Sequence, residues 1–283
     1  MKKTIGTLAA VCVVLGGLGV AGSATARAQD QGSGSATPPP PILLIHREFV
    51  KPGMVGAPHE KTESAVAQVF RQANYPTHYI GMTSLSGRDR ALFVIAYDSF
   101  ADMQKDVAQM AGNSSVAQQF DQADQADGKL LISHDAGVFE YQPKMSVHPN
   151  VDVARMRYFV ITRLEVREGH DADWHALAKL HDSAYGNIPD AHWAMYEKEF
   201  GHDSGSIYIA IMGLRSLAEL DAFHKEAGHA WSQVSAEQKK KMEDLDASTL
   251  KSVEQNVYMF DPKMSYVSQK WTKEDPSFWD GQQ

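Results

Sequence analysis

The chain carries twelve histidines, and two of them invite acid–base chemistry. His78 in "THYIGM" and His192 in "AHWAMY" each precede an aromatic residue, Tyr79 or Trp193, near the start of a strand-like run. An imidazole is the side chain best matched to proton transfer near neutral pH. Strand alternation sends His78, Ile80 and Met82 to one face, and His192, Ala194 and Tyr196 to the matching face of a second strand. His78 and His192 are therefore the candidate catalytic residues, the bland alternative being that each fixes a strand edge. Arg47 and Arg163 sit among apolar neighbours, where a planar guanidinium facing inward would bind a carboxylate-bearing ligand. Facing outward, each would only pack its stem and hold its head in water. Trp174, His175 and Tyr185, with Tyr79 and Trp193, are candidates for lining a ligand pocket; the aromatic ones serve equally well as core.

Other chemistries lack their residues. His170, His175 and His181 are five and six apart, off the three- or four-residue step of ligands on one helical face, and H-E-x-x-H is absent. No metal ligands are assigned. There is no Gly-rich phosphate loop, nucleophile elbow or recognisable carboxylate pair.

The opening "MKKTIGTLAAVCVVLGGLGVAGSATARAQD" has the layout of a secretory signal over 1–28: two lysines, a short apolar run, then Ala26-Arg27-Ala28 before Gln29. It predicts an exported protein, periplasmic or secreted. The only cysteine, Cys12, lies within it, so the processed chain would have no thiol chemistry or disulfides. Cleavage removes three of the 27 Lys and Arg and none of the 35 Asp and Glu, leaving a net charge near −11. With no basic stripe, nucleic acid and anionic membrane are poor partners, and a small molecule is the expected one. Residues 29–41, ending in four prolines, read as a disordered linker.

What positions the candidate residues is a duplication. "ILLIHREFVKPGMVGAPHE" aligns with "YFVITRLEVREGHDADWHA", matching Arg47 with Arg163, Gly53 with Gly169 and His59 with His175. Further on His78 meets His192, and "PKMS" from Pro143 meets "PKMS" from Pro262. The copies span 42–148 and 154–268, followed by a tail over 269–283. Each reads strand, helix, two strands joined by a turn, helical stretches, strand. Pro58 suits a first helical turn, Asp171 a cap, and Ser99-x-x-Asp102 and Ser216-x-x-Glu219 capping boxes. The order β-α-β-β-α-β is the ferredoxin-like unit, and two such units on one chain can pack sheet to sheet.

These patterns, over most of 42–148 and 156–266, resemble the dimeric α+β barrel superfamily, which includes antibiotic-biosynthesis-type monooxygenases, NIPSNAP-like proteins and haem-handling enzymes. The residues carrying the resemblance are "LEVREGHDADWHALAKLHDSAYG" and "HWAMYEKEFGHDSGSIYIAIMGLRSLAELDAF". It implies an α+β fold, two tandem units packed as an intramolecular pseudo-dimer, with ligand-sized cavities. The expected function is binding of a small, partly apolar ligand. A cofactor-independent monooxygenase-like enzyme and a non-catalytic structural or assembly protein are the alternatives. No cofactor is predicted from the residues; haem on His175 or His181 is an alternative by resemblance only. The copies diverge at His46 against Thr162 and Glu48 against Leu164, so at most one half would keep a working pocket.

Overall fold

The computed structural model describes residues 36–280 apart from 189 and 202–204. The expected signal segment and most of the linker lie outside the described residues. The first copy comprises β1 (Ile42–Val50), α1 (Ala57–Gln72), β2 (Tyr79–Ser84), β3 (Arg90–Tyr97), α2 (Phe100–Gly112), α3 (Ser114–Asp127) and β4 (Leu131–Tyr141). The second repeats it as β5 (Tyr158–Val166), α4 (Asp171–Tyr185), β6 (Ala194–Phe200), β7 (Ile207–Leu214), α5 (Ala218–Gln233), α6 (Ala236–Thr249) and β8 (Leu250–Phe260). The tail forms α7 (Gln269–Glu274) and α8 (Pro276–Trp279).

The eight strands close into one barrel in the order β1-β3-β2-β8-β5-β7-β6-β4. Each unit alone is an open four-stranded sheet with two exposed edges. Pairing β2 with β8 and β4 with β6 joins the units and removes those edges. Inward residues such as Ile45, Met82, Leu92, Phe139, Ile161 and Phe260 fill the interior. The outward faces are covered by helices, with separate apolar layers under α1 and α4.

Local signals explain most boundaries. Ser99 Oγ accepts from the Asp102 amide at the start of α2, and Pro58 lies in the first turn of α1. Two expected caps differ. Asp171 is the first residue of α4 rather than its cap, and its carboxylate accepts from Ser206 instead. α5 starts at Ala218, so Ser216 caps nothing, although Glu219 accepts from the Arg215 amide.

The repeated Pro-Lys-Met-Ser is a joint between units. Ser146 Oγ accepts from the Met195 amide of β6, and Ser265 Oγ from the Gly81 amide of β2, both at 2.9 Å. Each copy's exit loop thus clasps the other copy's second strand, with Val147 bridging to Trp193 and Tyr266 to Tyr79.

The linker differs from expectation at its end. Thr37 pairs with Val151, and the Pro40 carbonyl accepts from the Tyr196 hydroxyl. These residues are built into the barrel mouth. The tail is likewise packed: Trp279 is buried, donates to the Ala154 carbonyl and lies tilted against Phe260. Among the described residues no helix is long and apolar enough to cross a membrane.

Candidate functional site

The strand geometry that alternates side chains places both candidate histidines at one barrel mouth. This mouth is formed by the starts of β1, β2, β5 and β6 and the ends of β3 and β7, and a cavity of about 1000 Å³ opens there. His78 and His192, from corresponding positions of the two units, border the same cavity, together with Leu43, Ile80, Phe159 and Tyr196. Pro38 to Pro41 and Trp271 close its sides. Its walls are largely apolar, with Asp98, Asp102, Lys105 and Asp106 at the rim. Asp106 is held in place, accepting from the Tyr97 hydroxyl at 2.6 Å and the Thr77 hydroxyl at 2.7 Å.

The two histidines are not equivalent. His192 has both ring nitrogens against carbonyls, Nε2 at 2.6 Å from Gly213 and Nδ1 at 2.9 Å from Asp190. These two backbone contacts fix the orientation of the His192 ring. His78 stacks on Tyr266, with ring centroids 4.8 Å apart. Burial holds its pKa below the ordinary histidine value, a hydrogen bond to the Pro76 carbonyl opposing in part. His78 is therefore a neutral, base-competent ring at pH 7.

The remaining predicted residues divide among three places. Tyr79 and Trp193 contribute to the large cavity, but their rings serve elsewhere. Tyr79 packs against Phe70 and Phe93 beneath α1, and the Trp193 indole donates to the Met145 carbonyl. Trp174 and Tyr185 line a separate pocket of about 60 Å³ between α4 and the sheet. His175 lies exposed on the outer side of α4 and lines neither space, because α4 turns Trp174 and Ala178 inward instead.

Arg47 and Arg163 face the interior, at the opposite mouth, around a space of about 90 Å³. Arg47 is paired with Asp135 and Arg163 with Glu165. Their charges are matched within the protein, which weakens the case for an anionic ligand. The cavity that both histidines share is at the other end of the barrel.

Haem fits neither residue named for it. His175 is exposed. His181 is buried, but its pocket of about 60 Å³ is filled by Trp174 and the stacked Tyr185, far below the several hundred Å³ of a cofactor site.

No family model matches the chain, and no curated relative matches it. Solved structures do. An anthrone oxidase-like protein superposes with a TM-score of 0.50 at 13% identity, over 78% of this chain and 91% of that one. A protein of Fusobacterium nucleatum proposed to be a monooxygenase gives 0.50 at 9% identity, over 78% and 93%. The chain has the dimeric α+β barrel fold. A chlorite dismutase variant from Candidatus Nitrospira defluvii aligns more loosely, at 0.45 and 11% identity over 82% and 94%. In this chain the barrel is made by a tandem duplication.

Sequence reasoning missed four residues that the fold gathers. Glu48, His59, Glu63 and Asp127 are all buried, and a ligand atom from each lies within 4.8 Å of the others. Two signals were available. Glu48 interrupts an apolar strand, and His59 and Glu63 are four apart on α1, on the face that packs inward.

Proposed function

We propose that this protein binds a small, partly apolar molecule in the cavity at the His78–His192 mouth of the barrel. The observation that carries the reading is that two symmetry-related histidines, one from each unit, border a single cavity of about 1000 Å³. That size and its mix of apolar wall and few polar groups match small-molecule sites. A planar, electron-rich phenol or quinol suits it: aromatic and aliphatic walls for the ring system, His78 for the hydroxyl.

A catalytic reading has one specific support, the neutral His78 in the cavity. The likeness to an anthrone oxidase-like protein suggests what chemistry such a base would serve. His78 would take a proton from the activated carbon, dioxygen would supply one oxygen atom to the product, and the other would leave as water. Export belongs to the same proposal, and N-terminal sequencing of the processed protein should then begin at Gln29.

Thermal-shift and calorimetric titrations with anthrone and with 1,4-naphthoquinol test the reading. Saturating ligand should raise the Tm by a few degrees (about 3 kcal/mol at a hundredfold excess over Kd). His192→Ala and His78→Ala should each weaken binding about tenfold. Unchanged shifts in both variants would remove this cavity from consideration. Binding without oxygen uptake would leave a binding protein; a Soret band on mixing with haemin would point instead to a haem protein.

A further inference from the structure

Buried beneath α1, on the outer side of the barrel and away from the cavity, four side chains converge. Glu48 comes from β1, His59 and Glu63 from α1 and Asp127 from the last turn of α3. They are 8%, 1%, 5% and 2% exposed. His59 Nε2 stands 3.0 Å from Glu48 Oε2 and 3.5 Å from Asp127 Oδ1. Donor atoms bound about 2.0–2.2 Å from one cation are spaced about 3 Å apart along a coordination edge; the His59–Glu48 spacing matches that, and all four donor atoms lie within 4.8 Å of one another. The Thr62 hydroxyl donates to Asp127 Oδ1 at 2.6 Å, which is the kind of outer support a ligating carboxylate usually has.

Two further facts point to a ligand. Asp127 Oδ2 is buried without a hydrogen-bond partner, which is costly for a carboxylate oxygen. The other half replaces three of the four with apolar groups; only Asp127 keeps a buried carboxylate counterpart, Asp246, each lying four residues before the matching Leu131 or Leu250. Buried positions of α1 and α4 correspond at a spacing of 115, so His59 matches Trp174 and Glu63 matches Ala178. Glu48 matches Leu164 in the strand register. This corrects the pairing of His59 with His175. The fold therefore does not need Glu48, His59 and Glu63 to be polar, since its twin packs Leu164, Trp174 and Ala178 into the same places.

Three carboxylates face one imidazole. Among the described residues, the ion pairs of Glu48 and Asp127 run only to His59, and none is formed by Glu63. His134 stands beside Glu48 with His46 against it, and Asp124 approaches Glu63 from α3. We propose that Glu48, His59, Glu63 and Asp127 form a buried site for one divalent first-row cation. Three hard oxygen donors with one imidazole suit Mn²⁺, Fe²⁺ or Zn²⁺, whereas Ca²⁺ and Mg²⁺ prefer oxygen alone. Its place between β1, α1 and α3 makes it a clamp holding those helices to the barrel.

The test uses the processed full chain, stripped with EDTA and titrated with MnCl₂ or ZnCl₂ while Tm and bound metal are measured. One ion per chain is expected, with Tm raised by roughly 5 °C at a hundredfold excess over Kd. Glu63→Ala, which copies the other half, and Asp127→Asn should each lose the affinity about tenfold or more. His175→Ala, at an exposed histidine, should change nothing. Glu63→Ala should remain folded, with a metal-free Tm at or above that of the wild type, because a buried carboxylate is removed. Should it not fold, the isosteric Glu63→Gln decides by the same titration. The proposal is overturned by no bound metal and no Tm rise with either cation, in which case the carboxylates share protons. Binding that survives both Glu63→Ala and Asp127→Asn overturns it too, placing the ion elsewhere. Neither His78→Ala nor His192→Ala touches this site, so failure here and failure of the cavity reading are separable.

Discussion

His181 illustrates how far burial alone can reset a residue. It stands among Trp174 and Tyr185, and burial pushes its pKa down to about 3. The unfolded chain takes up this proton near the ordinary pKa of about 6.5, and the folded chain does so only near 3. Stability therefore falls as the pH drops through that window. Between pH 7 and pH 5 the loss from His181 is about 2 kcal/mol. Urea unfolding of His181→Leu should show a flatter pH dependence over that range; an unchanged slope would mean that other groups dominate. His78 and His192 were legible as a matched pair because their neighbours repeat with them. That they border one cavity was not legible, since residues 114 apart meet only through barrel closure. Glu48, Glu63 and Asp127 escaped notice for a similar reason. A carboxylate in a strand or on a helix reads as solvent-facing until a second helix covers it.

Among the elements, the joints between units carry the sharpest consequences. A Cβ on Gly81 would come within 2.6 Å of the Met264 carbonyl oxygen, closer than backbone atoms tolerate. Gly81→Ala should therefore displace the Pro262–Ser265 loop and lower stability by about 2 kcal/mol or more, read from denaturant midpoints. Ser265→Ala, which strands the Gly81 amide at a buried position, should cost about 1–2 kcal/mol. The Pro-Lys-Met-Ser repeat was recognisable as the mark of a duplication. Its exchange between copies was not, because hydrogen bonds from one unit to the other leave no trace in local spacing. α7 and α8 make the same point. Trp279→Ala should remove a buried indole and its bond to Ala154, costing about 3–5 kcal/mol.

For the molecule as a whole, neither unit is expected to stand alone. In each, the second strand and the last strand find their outer partners in the other copy. A fragment ending at residue 148 keeps those edges open and its inner face unburied. Size-exclusion chromatography with light scattering should find it dimeric or aggregated; a stable, monomeric fragment with native-like circular dichroism would contradict this account.

The order of elements, the duplication and the alternation of faces along each strand were determined by sequence, because they depend on short-range periodicity and punctuation. The residues that share a space were decided only by tertiary structure. Closing the barrel set His78 and His192 around one cavity and sent Arg47 and Arg163, on the same inner surface, to the opposite mouth. Covering the barrel with α1 and α3 turned four scattered polar residues into one buried cluster in a single half. Proximity across a closed sheet depends on register and strand order, and a linear pattern of residue types carries neither.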